Sequence, residues 1–201
     1  MLLNVPNALT LLRVALTPLF VIFLFREGIW FRYVASVLFL CAALSDFYDG
    51  YLARQRGSVS RFGRFMDPLA DKILTSSAFI SFAALKIVAT WMVYTIVVRE
   101  VMITCLRMYS ISRKNPLITS RLAKWKTSCQ MVVILVILLL LNINATRAAS
   151  GGEWEPSEGD WSWWIINGLV LAVTLLAVTT GAHYLVQNLV FPRRSGRKRR
   201  A

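Results

Sequence analysis

The feature that most constrains this chain is the recurrence of long apolar runs. Their kernels are "LTPLFVIFLF", "YVASVLFLCAAL", "SSAFISFAAL", "MVVILVILLLL" and "IINGLVLAVTLLAV". The segments around them approach the roughly 20 residues that a bilayer-spanning helix needs. A core helix of a soluble protein would carry a polar stripe, and these runs mostly do not. Backbone groups in lipid must pair within their own segment, so helices are the expected spanning element. Six spans are expected, at 8–25, 31–52, 67–87, 88–110, 122–142 and 162–190. No internal repeat is visible. The expected fold class is therefore an all-α integral membrane protein: one domain of six transmembrane helices over 1–192, then a basic tail over 193–201.

Charge sets the expected orientation. A net charge of +13 could signal nucleic acid, but an apolar fraction of 57% argues for membrane lipids as the surroundings and against a nucleic-acid partner. Arg54, Arg56, Arg61 and Arg64 lie between spans 2 and 3. Arg113, Lys114, Arg121, Lys124 and Lys126 lie between or at the edges of spans 4 and 5, and the chain ends "RRSGRKRRA". The segment between spans 5 and 6, "TRAASGGEWEPSEGDWSW", is acidic. The positive-inside rule then puts both termini and the 2–3 and 4–5 connections in the cytoplasm. Trp154, Trp161, Trp163 and Trp164 fit an interfacial belt on the far side.

Several residues read as bland. The first span lacks a basic n-region and a small-residue cleavage site, so it is expected to be retained. Cys41, Cys105 and Cys129 sit apart in apolar sequence and read as small buried hydrophobes. His183 reads as a packed or interfacial side chain. "NINATR" contains a glycosylation sequon at Asn144 that matters only in a secretory context.

The exception to this greasy background is "SDFYDGYLARQRGSVSRFGRFMDPLADK", residues 45–72. It holds four of the ten acidic residues: Asp46 and Asp49 at i,i+3, and Asp67 and Asp71 at i,i+4. On helices each pair shares a face. An antiparallel hairpin of spans 2 and 3 would bring the pairs together at one membrane depth. Four carboxylates repel one another and are costly near lipid, so something must compensate. Hard oxygen ligands suit Mg²⁺, Mn²⁺ or Ca²⁺. The plainer alternative is a solvated helix-end cluster paired with Arg54, Arg61 and Arg64. Gly50, Gly63 and Ala53 make the same face small, which suits the close approach of a ligand.

Written as spacing, the stretch is Asp46-x-x-Asp49-Gly50-x-x-Ala53-Arg54, eight residues, Gly63, three residues, Asp67, three residues, Asp71. This resembles the signature of the CDP-alcohol phosphotransferase family, with every position filled. The resemblance implies the six-helix catalytic fold of that family, and a reaction in which an alcohol attacks the lipid-linked phosphorus of a CDP-activated donor and releases CMP. It implies that Asp46, Asp49, Asp67 and Asp71 bind one or two divalent ions, Mg²⁺ or Mn²⁺, with Asp71 also the general base. Gly50, Ala53, Arg54, Ser60 and Gly63, together with Asp46, would line the CDP-lipid pocket. Asn7 and Thr10 of "NVPNALTLLR" would join them. A multi-pass location in the bacterial cytoplasmic membrane, a site facing the cytoplasm and a homodimer are further implications.

The acceptor rests on other segments. "VVREVMITCLRMYSISRK" offers Arg99, Glu100 and Arg107, and "SRLAKWKTSCQM" offers Lys124 and Lys126. A basic lining favours an anionic acceptor, and arginine grips phosphate bidentately. Lys124 and Lys126 point about 200° apart on an ideal helix, so both reach one pocket only if the helix starts late or one side chain wraps. These segments resemble the branch of the family whose substrates are CDP-diacylglycerol and sn-glycerol 3-phosphate. Met108 and Ala123 depart from that branch, where an acidic residue and a glycine are expected. Inositol phosphate, inositol, serine or a second lipid are the alternative acceptors. A cation transporter using membrane carboxylates is the rival from another class, though its site would be expected nearer the bilayer midplane.

Overall fold

The structure is a computed structural model, and it describes residues 5–56, 61–112, 121–149 and 161–186. Side chains are described outside 5–7, 46–56, 61–68, 107, 109–112, 121–124 and 148–149. Six helices make up the described chain: α1 (Val5–Leu24), α2 (Ile29–Arg56), α3 (Arg61–Ala84), α4 (Thr90–Ser112), α5 (Arg121–Ala149) and α6 (Trp161–Leu185). Each coincides with an expected span. The boundaries moved most where polar residues continue a helix beyond its apolar kernel: α3 starts at Arg61 and α5 runs on to Ala149. Hydropathy marks the lipid-matched part of a helix, whereas backbone hydrogen bonding continues past it. Among the described residues, two helices are long and apolar enough to cross a bilayer, over Trp125–Arg147 of α5 and Trp161–Leu185 of α6.

Packing around the core fixes which helix ends meet. α1 packs against both α2 and α3; α2 also meets α5; α3 meets α4 and α5; and α6 lies against α4 and α5. The expected α2–α3 hairpin contact falls on 46–68, whose side chains lie outside the described residues. Phe20 and Phe39, with ring centroids 5.4 Å apart, join α1 to α2 in the core. Leu74, Phe79 and Phe82 of α3, Ile96 of α4, Ile134 and Ile137 of α5 and Val170 of α6 complete it.

Side-chain hydrogen bonds give the helix directions. Tyr33 and Thr146 share a bond of 2.7 Å, and Asn142 Nδ2 donates to Ser36 Oγ at 2.9 Å, so α2 and α5 run antiparallel. At the α3–α4 turn, Ala89 N–H donates to Asn167 Oδ1 at 2.9 Å, and Asn167 Nδ2 donates to the Ile87 carbonyl at 3.1 Å. Farther along, Arg99 Nε donates to the Ala177 carbonyl at 3.1 Å. α4 and α6 therefore run parallel and in register. Such polar ties matter in an apolar surround, where van der Waals packing and interhelical hydrogen bonds replace the hydrophobic effect.

The α3–α4 turn itself is a Schellman closure. Ile87 N–H bonds the Phe82 carbonyl at 3.0 Å and Lys86 N–H bonds the Ala83 carbonyl at 3.0 Å, with Lys86 in the left-handed region at φ 57°. Ile87 and Phe82 are both buried, as the hydrophobic contact of that motif requires.

Many large apolar side chains are exposed on the described helices. Trp30, Trp91, Trp161 and Trp164 are exposed at the first turns of α2, α4 and α6, which lie at one end of the bundle, while Trp125 is exposed near the start of α5 at the other. Exposed aromatic residues at both ends of a helical bundle are the pattern an interfacial belt would give. Cys41 and Cys105 are free but exposed, and only Cys129 is partly buried, which corrects the expectation that all three lie inside. In lipid a small apolar side chain has no need of the protein core. Asn144 is buried at 3% exposure within α5, so its sequon is inaccessible in the folded chain. His183 is exposed.

Candidate active site

Three helix ends converge where α3 begins, α4 approaches its C-terminus and α5 begins. The antiparallel pairing of α2 with α5 puts the C-terminal half of α2 alongside the first half of α5. The short turn at 25–28 brings the first turns of α1 level with the same part of α2. The backbone is helical at Asp46, Asp49, Asp67 and Asp71, so both expected pair spacings are realised on helices.

At this end the described side chains form one chain of charges. Glu100 on α4 is its centre and is buried at 3% exposure. Lys72 Nζ on α3 sits 2.8 Å from Glu100 Oε2, and Arg99 Nη1 donates to Glu100 Oε1 at 3.2 Å. Lys126 on α5, 1% exposed, forms an ion pair with the same oxygen. Lys72 also lies 3.6 Å from Asp71 Oδ2. Three cations therefore surround two carboxylates. Burial on this scale persists only with pairing, and removing one partner of a buried pair typically costs about 3–5 kcal/mol.

Arg99 is held from behind by α6. Its Nε bonds the Ala177 carbonyl and its Nη2 donates to Thr180 Oγ1 at 3.0 Å. Thr180 in turn donates to the Leu176 carbonyl at 2.6 Å. The arginine can lie against α6 because residue 181 is glycine: a Cβ there would stand 3.2 Å from Arg99 Nε.

Asp71 Oδ1 is buried and has no hydrogen-bond partner among the described residues. A buried carboxylate oxygen without a donor is costly unless reserved for a ligand. Its hard-oxygen character fits either a divalent ion or an acceptor hydroxyl. Thr75 steadies the backbone nearby by donating to the Asp71 carbonyl at 3.0 Å. Thr10 and Arg13 of α1 are buried, Arg13 completely, with Thr17 Oγ1 donating to the Arg13 carbonyl at 2.8 Å.

Of the site residues expected from sequence, the structure brings Asp71, Arg99 and Lys126 into this one network. Thr10 is buried on α1, whose first turns are level with this end of the bundle. The side chains of Asn7, Asp46, Asp49, Gly50, Ala53, Arg54, Gly63, Asp67, Arg107 and Lys124, and all of Ser60, lie outside the described residues, as does the basic tail. Arg99 differs from expectation in one respect: it braces α4 against α6 and Glu100 as well as bordering the site. Helix α5 starts at Arg121, so Lys124 and Lys126 are both within it, and Lys126 is the one placed in the cluster. Sequence reasoning underrated Glu100 and passed over Lys72. Both carried a readable signal, each being half of an adjacent charge pair, Arg99–Glu100 and Asp71–Lys72, set in apolar helical sequence.

The geometry places the Asp71 carboxylate beside buried cationic groups at one end of a helical bundle. The chain belongs to the CDP-alcohol phosphatidyltransferase family, whose profile matches residues 3–176. Among its curated relatives is a CDP-diacylglycerol–glycerol-3-phosphate 3-phosphatidyltransferase from Cereibacter sphaeroides, 30% identical over 94% of this chain and 96% of the relative. Proteins of the same name from Pectobacterium atrosepticum and Bacillus subtilis are each 35% identical. The former match covers 88% of both chains, and the latter 68% of this chain and 77% of the relative.

Proposed function

We propose that this protein transfers the phosphatidyl group of CDP-diacylglycerol to sn-glycerol 3-phosphate, giving phosphatidylglycerophosphate and CMP. The observation that carries the reading is the convergence of buried Lys126 and its neighbours on the helix end that bears Asp71. Full-length relatives bearing that activity in their names support the choice of acceptor.

In the reaction the acceptor hydroxyl oxygen bonds to the phosphorus carrying diacylglycerol. The bond from that phosphorus to the CMP oxygen breaks, and the hydroxyl proton passes to a base. Asp71, through Oδ1, is the group that takes this proton. Lys126 and Lys124 of α5, with Arg107 of α4, receive the acceptor phosphate, and Arg99 fixes the wall behind them. Asn7, Thr10, Gly50, Ala53, Arg54, Ser60 and Gly63 hold the CDP-lipid. Asp46, Asp49, Asp67 and Asp71 would hold one or two Mg²⁺ or Mn²⁺ ions, which when bound would neutralise the pyrophosphate and the charge building on CMP.

All six helices span the bilayer, with both termini and the site on the cytoplasmic side. The donor's acyl chains then stay in lipid while its nucleotide and the water-soluble acceptor meet at the interface. A bacterial cytoplasmic membrane and a homodimer complete the proposal.

The test is CMP release by purified protein in detergent, supplied with CDP-diacylglycerol and Mg²⁺ or Mn²⁺, against a panel of sn-glycerol 3-phosphate, inositol phosphate, inositol and serine. Glycerol 3-phosphate is expected to be preferred, with its phosphate appearing in the lipid phase. Release with another panel member and not with glycerol 3-phosphate overturns the acceptor. No release with any member overturns the reaction.

A further inference from the structure

We propose that Gln130 on α5 is a specificity-determining residue for the acceptor: its side-chain carbonyl accepts a hydrogen bond from the C2 hydroxyl of sn-glycerol 3-phosphate. The inference rests on the phosphatidyl-transfer reading above.

Gln130 is 1% exposed, and its Oε1 is buried with no hydrogen-bond partner among the described residues. It lies four residues after Lys126, on the same buried face of α5. Beyond it that face continues with Val133, Ile134 and Ile137, all buried. Gln130 therefore stands between the charged cluster and the apolar core. α3 and α5 both start at this end of the bundle, and α4 runs toward it. One turn deeper than Asp71, Lys126 and Glu100 thus lie Thr75, Gln130 and Ile96. The Thr75 hydroxyl donates within its own helix, to the Asp71 carbonyl at 3.0 Å, and Ile96 has no side-chain donor to offer.

A buried amide oxygen costs stability unless a donor reaches it. The oxygen's chemistry narrows the donor. A carbonyl accepts from O–H or N–H groups and repels the oxygens of a phosphate. The phosphate goes to Lys126, one turn nearer the start of α5. Helical side chains lean toward the N-terminus of their helix, which for Gln130 is the direction of Lys126. Residues four apart rise about 6 Å along the axis, comparable with the length of a three-carbon phosphate. In glycerol 3-phosphate the C1 hydroxyl is consumed when its oxygen bonds to phosphorus. The C2 hydroxyl is then the donor left for Gln130. An acceptor without it leaves the Gln130 oxygen unpaired, and a site built around such a bond rejects that acceptor.

The experiment measures CMP release by full-length wild type, Gln130→Met and Gln130→Asn in detergent, with CDP-diacylglycerol and Mg²⁺. The acceptors are sn-glycerol 3-phosphate and propane-1,3-diol monophosphate, which lacks only the C2 hydroxyl. The readout is the ratio of kcat/KM for the two acceptors on one preparation, so that a loss of folded protein cancels. Wild type is expected to prefer glycerol 3-phosphate at least ~10-fold. Gln130→Met keeps the side chain's length and removes the amide. It is expected to bring the ratio below threefold, with KM for CDP-diacylglycerol within twofold of wild type. Gln130→Asn draws the amide back by one methylene and is expected to lower the ratio at least threefold; it decides if Gln130→Met does not fold. A wild-type ratio under twofold overturns the proposal. So does a ratio that an active Gln130→Met or Gln130→Asn leaves unchanged, the result given by a glutamine satisfied by trapped water. A raised KM for CDP-diacylglycerol with an unchanged acceptor ratio gives Gln130 to the donor and overturns it as well. No turnover with either acceptor defeats the reaction assignment and the inference with it, whereas equal turnover of both defeats the inference alone.

Discussion

Helix α6 carries two glycines that the same substitution should push in opposite directions. A Cβ added at Gly168 meets nothing within 4 Å, whereas one at Gly181 would stand 3.2 Å from Arg99 Nε, 3.3 Å from its Cγ and 3.9 Å from its Cδ. Alanine in a helix interior is favoured over glycine by about 0.8–1.0 kcal/mol, so both variants start with that gain. Gly168→Ala keeps it and should be more stable than wild type by up to about 1 kcal/mol. Gly181→Ala must move the Arg99 stem by a few tenths of an ångström, and that stem ends in charged bonds to Ala177 and Thr180. Hydrogen bonds involving a charged group contribute roughly 1.5–3 kcal/mol each. Losing one of them outweighs the propensity gain, for a net loss of about 1–2 kcal/mol. Thermal unfolding in detergent, followed by tryptophan fluorescence, reads the difference as a shift of several degrees between two variants of identical composition. CMP release should fall for Gly181→Ala and hold for Gly168→Ala, because only the former disturbs the support of Glu100. Equal stability of the two variants, or a more stable Gly181→Ala, would refute the claim that Arg99 is packed tightly on α6.

Further outcomes follow from the same contacts. Asn167→Ala removes the acceptor for Ala89 N–H and the donor to the Ile87 carbonyl; it should cost about 2 kcal/mol in thermal unfolding, with turnover retained because the site lies ten residues, about 15 Å, farther along α6. Lys86→Gly relieves a left-handed lysine at φ 57° and should raise stability by about 1 kcal/mol with unchanged CMP release. Asp71→Asn should lower kcat by at least ~10²-fold, the contribution expected of a general base, while the unfolding temperature stays within a degree or two of wild type.

The parallel between α4 and α6 depends on hydrogen bonds no local pattern announces. Asn167 is an isolated polar residue in an apolar run, and its role is set by the α3–α4 turn that packs against it. Arg99 shows the limit in another way. Its charge and place on span 4 were legible, and an anion-binding role followed naturally. That most of its described bonds go to α6 required knowing which helix lies beside it. The cysteines were misread because burial inside protein was equated with an apolar environment, and in lipid the two part company.

By itself the sequence determined the six helices, their apolar character, the family and the aspartate spacing. These are properties of local periodicity and of residue types at short separations, and a helix realises them wherever it lies. The tertiary structure alone decided that α1 packs on both α2 and α3, and that α4 and α6 run in parallel register. It alone decided that Asp71, Lys72, Glu100 and Lys126, drawn from three helices, share one buried network. Charges so far apart in sequence meet only through packing. Which lysine a buried carboxylate holds is set by differences of an ångström that no spacing encodes.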